Sequence, residues 1–154
     1  MIKLGKYQTL SVSRSVDFGV YLHEDGDSKE VLLPARYVPE NLKPGDSIDV
    51  FIYNDSEDRL VATTEHPYAT VGQFAFLEVK EVNDVGAFID WGLIAKDLLV
   101  PYGEQRVKMR RGGIYLVYIY VDKTTDRIVA SARIDRFLGN VFPDYKPGDK
   151  VEAL

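Results

Sequence analysis

The chain has 154 residues, 45% hydrophobic and 28% charged, with 12 Gly, 7 Pro, 10 Tyr and no Cys. That length suits one ordinary domain or two small ones, and the missing Cys excludes a disulfide scaffold, a thiolate nucleophile and a zinc site built on Cys. His23 and His66 are too few for a three-His metal centre, and 19 basic against 24 acidic residues, net −5, argue against a simple polyanion binder when averaged over the chain.

Short apolar runs rich in Val, Ile, Tyr, Phe, Thr and Leu, punctuated by Gly, Pro, Asn and Asp, predict strands at 7–13, 17–23, 30–33, 47–54 and 59–64. Glu24-Asp25-Gly26-Asp27 and Asn54-Asp55-Ser56-Glu57-Asp58 supply turn chemistry between them. Pro34-Ala35-Arg36-Tyr37-Val38-Pro39 has no two-residue period and predicts a short helical turn between the third and fourth strands. After a linker near Glu65-His66-Pro67-Tyr68, strands recur at 73–82, 85–90, 97–100, 114–122 and 127–133, with Pro101–Val107 as the second irregular link. The linker is short, so the two halves should lie close together.

The halves repeat one another. Asp17-Phe18-Gly19-Val20-Tyr21-Leu22 returns as Asp84-Val85-Gly86-Ala87-Phe88-Ile89, and Leu32-Leu33-Pro34 as Leu99-Val100-Pro101, both 67 residues on. At an offset of 68, Lys43-Pro44-Gly45 aligns with Arg111-Gly112-Gly113, Ile48–Tyr53 with Leu116–Val121, and Asp58-Arg59-Leu60-Val61-Ala62-Thr63 with Asp126-Arg127-Ile128-Val129-Ala130-Ser131. Two copies of one small fold follow. Five short strands with an irregular link between the third and fourth predict an all-β chain of two tandem five-stranded barrels of the OB type, an SH3-like barrel being the alternative. The predicted boundaries are 1–66 and 67–140. Lys146-Pro147-Gly148-Asp149-Lys150-Val151-Glu152 repeats the Lys43–Asp49 pattern, so 141–154 reads as a linker and the first strand of a truncated third unit. The first residues hold no signal-peptide core, and no stretch approaches ~18 uninterrupted apolar residues. The expectation is a cytoplasmic protein with no membrane contact.

With those residues laid out, the chain resembles the S1 RNA-binding domain. Phe18-Gly19-Val20-Tyr21-Leu22 before Leu32-Leu33-Pro34, its counterpart Val85–Gly92 before Asp97–Pro101, and the closing segments Arg59–Thr63 and Arg127–Ser131 carry the likeness. The tandem arrangement is similar, more narrowly, to the conserved virulence factor B family of bacterial RNA-binding regulators. The resemblance implies an aromatic before the strand-two Gly and another two residues after it, both stacking on bases. Those positions are Phe18 and Tyr21 in the first copy, Val85 and Phe88 in the second. It also implies an Arg near the start of strand five, Arg59 and Arg127, and a His on strand three that both copies lack.

Strand alternation puts Phe18 and Val20 on one face and Tyr21 on the other, unless Gly19 marks a bulge that re-aims the chain, as Gly86 would before Phe88. Phe18, Tyr21 and Phe88 are then either stacking residues or core aromatics. Residues 1–66 hold 7 basic and 12 acidic groups, whereas 67–140 hold 10 and 9. The second half also carries the run Arg106, Lys108, Arg110 and Arg111, which either tracks a phosphate backbone or is a solvated loop. Trp91 is either a cap over a barrel end or an exposed stacking residue.

Enzyme signatures are missing: there is no phosphate loop, dinucleotide fingerprint or nucleophile elbow, and Glu24–Asp27 lacks the closing Glu of a calcium loop. No catalytic residue, metal or cofactor is expected. The predicted function is single-stranded RNA binding through Phe18, Tyr21, Arg59, Phe88, Arg127, Arg110 and Arg111, in a regulator of gene expression whose further C-terminal domains contact these barrels. The alternative is a pair of protein-interaction barrels with little RNA affinity.

Overall fold

The structure, a computed structural model, describes residues 2–141. The first five strands are β1 (Tyr7–Val16), β2 (Gly19–His23), β3 (Glu30–Pro34), β4 (Ser47–Asn54) and β5 (Leu60–Thr63). They close into a barrel in the order β1-β2-β3-β5-β4, with β4 pairing back onto β1. Leu10, Val12, Val20, Leu22, Val31, Leu33, Val50 and Ile52 fill it, each separated from the next on its strand by a residue facing outward. The predicted helical turn between the third and fourth strands is a 3-10 turn, Ala35–Tyr37.

The second unit repeats the pattern with β6 (Phe74–Val82), β7 (Gly86–Ile89), β8 (Leu98–Pro101), β9 (Ile114–Asp122) and β10 (Arg127–Ser131), and a 3-10 turn at Tyr102–Glu104. Its sheet runs β10-β9-β6-β7-β8. This sheet has the strand order of the first barrel, and β8 and β10 lie side by side, but no ladder joins them, so the second barrel is not closed by hydrogen bonds. The ring of the first unit closes at that place through one pair alone, Leu32 with Val61, so losing a single rung opens it.

Hydrogen-bond register also corrects the alignment of the copies. The Gly45 amide donates to Val12 and the Gly112 amide to Val79, the same bond 67 residues apart. Tyr7 pairs with Phe51 as Phe74 pairs with Tyr118. The offset of 67 therefore runs through β9, and Arg110-Arg111-Gly112 answers Lys43-Pro44-Gly45. The extra residue falls in the last hairpin, where Asn54–Leu60 becomes Val121–Ile128. Val50, Phe51, Ile52 and Tyr53 are all buried, so β4 shows no polar alternation from which its register could be read.

Both faces of β4 are buried because one of them meets the second unit. Phe51, Tyr53 and Val61 join the core formed by Trp91, Leu98, Met109, Val117 and Ile119. Trp91 is fully buried, its ring 5.5 Å from that of Phe51 in an edge-on contact. It is thus the cap of the two alternatives, set in the seam between units. The N-terminal segment bridges the seam, with the Gly5 amide donating to Ile52 and the Gly5 carbonyl accepting from Val71.

The corresponding outer face of the second unit, Phe74, Tyr118 and Tyr120, is covered by the segment after β10. The Phe137 ring lies 4.5 Å from Tyr118, nearly parallel, and 4.9 Å from Tyr120. Arg136 clamps the Glu104 carboxylate at 2.6 and 2.8 Å. The repeat predicted from Lys146 onward lies outside the described residues. No helix among them is long and apolar enough to cross a membrane.

Candidate nucleic-acid interface

Phe18 does not sit within a strand. It ends the turn between β1 and β2 and is 58% exposed. The bulge expected at Gly19 and Gly86 lies instead on the partner strand, at Ser13 in β1 and Lys80 in β6, where the pairing slips by one residue. The glycines serve the turn exit. Gly19 has φ 154°, and a Cβ there would collide with the Leu33 carbonyl; Gly86, at φ 152°, would meet Val100 in the same way. Tyr21 then faces outward between buried Val20 and Leu22, and the Phe18 and Tyr21 rings meet edge to face at 6.2 Å.

Because of the bulge, Arg14 rather than Ser13 pairs with Tyr21, and its guanidinium carbon lies 4.1 Å from the ring centre. From Arg14 the rungs continue through Tyr21, Leu32, Val61 and Tyr53, a transverse row running from solvent into the seam. Tyr21, Leu32, Val61 and Tyr53 line a groove of about 480 Å³, joined by Arg36, Arg59 and, from the second unit, Ala95. Burial pushes the Tyr53 hydroxyl up to about 12. Arg14 and Arg36 were not legible as site residues: a bulge places the first, and the second stacks on Tyr37 from the 3-10 turn at 4.8 Å.

Arg14 and Arg59 on this face are paired, whereas Arg36 only stacks on Tyr37. Arg14 meets Glu30 at 3.3 Å, and Arg59 meets Asp55 at 3.0 Å and Glu57 at 2.9 Å. The Ser13 hydroxyl and Arg14 hold the Glu30 carboxyl below the ordinary carboxylate range. Burial works to raise Asp55, but the amides of Arg59 and Glu57 and the Arg59 guanidinium overcome it and bring that carboxyl down.

The second unit places its candidates differently. Phe88 is half-buried on β7, and Glu81 stands opposite it where Arg14 stands opposite Tyr21. Arg127 reaches across the seam to Asp58 at 2.7 Å, so it is tied to the first unit rather than to a face of its own. Arg110 and Arg111 are exposed and line a hollow with Lys80 and Glu81. The loop carrying them is pinned by buried Met109, whose amide donates to the Gln105 side chain at 2.8 Å, and by the Arg110 amide, which donates to the Tyr115 hydroxyl at 2.9 Å. Among the described residues, Lys80, Arg106, Lys108, Arg110 and Arg111 form no ion pair. His23 bonds locally to the Asp27 carbonyl, His66 meets the Tyr7 hydroxyl at the start of β1, and no three His, Asp or Glu among the described residues gather to hold a metal.

Residues 4–65, essentially the first barrel, match the S1 domain family. The chain is 37% identical over 97 residues to the uncharacterized protein YitL of Bacillus subtilis, covering 62% of this chain and 32% of that protein. It is 25% identical over 122 residues to Conserved virulence factor B of Staphylococcus saprophyticus, covering 74% of this chain and 40% of that one. The first unit is thus an S1 domain, and the chain is similar to the virulence factor B-like proteins. It spans between a third and two fifths of the length of those relatives. A crystal structure of a multidomain protein with nucleic acid binding domains, from Streptococcus pneumoniae, superposes with a TM-score of 0.67 at 27% identity, covering 82% of this chain and 45% of that one. Measured against its own repeat, the chain has the aromatic pair Phe18 and Tyr21 in the first unit and only one of the two, Phe88, in the second.

Proposed function

We propose that this chain is the nucleic-acid-binding part of a cytoplasmic bacterial regulator of gene expression, and that it takes single-stranded RNA without catalysis. The observation that carries this reading is the row from Arg14 through Tyr21 and Leu32 into the groove of Arg59, with Phe18 standing exposed at its edge. Bases stack on aromatic rings whatever their sequence, and stacking fits a face where Arg14 and Arg59 are already paired. A cluster of unpaired cations lies on the second unit, so the labour divides: Phe18 and Tyr21 take bases, while Arg110, Arg111 and Lys80 follow phosphates. The two units, 1–66 and 67–140, act together in this reading.

Titration of labelled single-stranded RNA into the protein at low and moderate salt tests it. Salt-sensitive binding that weakens in the double variant Phe18→Ala, Tyr21→Ala is expected; binding that ignores both the salt and the variant overturns it. The acidic first unit and the pairing of Arg14 and Arg59 favour a second reading, a protein-interaction module, which an absence of RNA binding at high protein concentration would support.

A further inference from the structure

We infer that the second unit positions the nucleic-acid face of the first, with Lys96 as the residue that holds the Arg59 loop in place. The inference rests on the reading of Phe18, Tyr21 and Arg59 as that face.

The loop between β4 and β5 carries Arg59 and is held at both ends by the other unit. At its start, the Lys96 ammonium donates to the carbonyl oxygens of Asn54, at 2.6 Å, and Asp55, at 3.1 Å. There too the Asn54 side chain donates to the Asp126 carbonyl at 3.2 Å, and at the far end Arg127 grips Asp58 at 2.7 Å. Between these points, Asp55 gathers the amides of Glu57 and Arg59 and the Arg59 guanidinium. Asp58 sits at φ 62°, a left-handed conformation that costs a non-glycine residue energy and needs support from its surroundings.

Lys96 is itself fixed from behind. Its carbonyl accepts the indole N–H of buried Trp91 at 2.7 Å. Trp91 packs on Phe51, so the seam sets the Lys96 backbone, and the Lys96 side chain sets the loop. Ammonium bonds to carbonyls in a half-buried site hold better than exposed ion pairs, which salt screens. The repeat offers an internal contrast. The matching loop of the second unit, between β9 and β10, also has an Asp at positive φ, Asp126 at 55°, yet its Arg127 turns back across the seam. The loop that borders the aromatic face is therefore the one clamped by a neighbour. Ala95, beside Lys96, lines the same groove as Tyr21 and Arg59, which makes the groove a product of both units.

The experiment compares the intact chain with Lys96→Met, Lys96→Arg and the double variant Phe18→Ala, Tyr21→Ala, titrating each against a labelled single-stranded oligoribonucleotide. Lys96→Met keeps the apolar stem and removes the donors; it should weaken binding about three- to tenfold, the scale of re-ordering a few loop side chains on binding. It should also speed hydrogen exchange at the Glu57 and Arg59 amides while leaving Trp91 fluorescence unchanged. Lys96→Arg should restore most of the affinity. If Lys96→Met binds like the parent while the aromatic variant fails, the positioning role falls and the face stands. If neither variant weakens binding, the face falls and the inference with it. Should Lys96→Met not fold, Arg127→Gln frees the other end of the loop, and parental affinity alongside faster exchange at Glu57 and Arg59 overturns the inference.

Discussion

The Arg14 guanidinium lies 4.1 Å from the centre of the Tyr21 ring, and the residues on the same rung of the second unit are Glu81 and Phe88. A cation over an aromatic face has become an acid beside one. Replacing Tyr21 or Phe18 with Ala should cost roughly 1–3 kcal/mol for each base stacked, without changing the salt dependence of binding. The converse change, Glu81→Arg with Val85→Phe, should add affinity to the second unit. Isothermal titration at two salt concentrations checks both, and a steep change of salt slope in Tyr21→Ala would contradict the stacking role.

Arg110 and Arg111 should behave in the opposite way. For a single strand, each phosphate deprived of its cation lowers the slope of log K against log salt by roughly 0.7, so Arg110→Gln with Arg111→Gln should flatten that plot and weaken all sequences alike. A slope identical to the parent's would make the run a solvated loop.

How much of this was written in the sequence depends on what each feature needs. Strand positions needed only local pattern, and they were legible to within a few residues at every strand, as were the 3-10 turns after β3 and β8, though not the third at Ile134–Arg136. The copies were legible too, but their register was not. A polar outer face on β4 and β9 would have displayed it; Phe51, Tyr53, Tyr118 and Tyr120 are apolar outward because each outer face is covered. The candidate face was legible where the repeat carries aromatics beside Gly19 and illegible where a bulge decides. Nothing local says that Ser13 will be skipped and Arg14 brought onto the rung of Tyr21. Long-range partners were the least legible. Arg127 reads as a surface cation until the seam brings it to Asp58.

Trp91→Ala removes the largest fully buried side chain, from a core to which both units contribute. Such truncations cost about 3–5 kcal/mol. The expected result is one unfolding transition, shifted to lower temperature, with near-ultraviolet dichroism from both units lost together. Two separate transitions in the parent protein would show that the seam does not couple the units.

Alkaline pH should loosen the same seam. The Tyr53 hydroxyl is pushed up from 10.0 to about 12 by burial. The folded state thus keeps the proton that the unfolded chain releases near 10, and the stability this reflects is complete below pH 10 and lost as pH rises from 10 through about 12. Denaturant midpoints measured across that window should fall more steeply for the parent than for Tyr53→Phe, whereas parallel curves would place the titration elsewhere.

Phe137 over Tyr118 carries a practical meaning. The repeat hands down more than a core: it hands down an outer strand face too apolar to leave in water, closed by a neighbouring unit in one case and by seven residues of trailing chain, Ala132–Leu138, in the other. A cut made after Ser131, where the last strand ends, would leave Phe74, Tyr118 and Tyr120 uncovered beside an unlatched edge, a surface prone to self-association. A cut made after Leu138 keeps the rings sheltered, so the usable end of this fold lies a turn beyond its last strand.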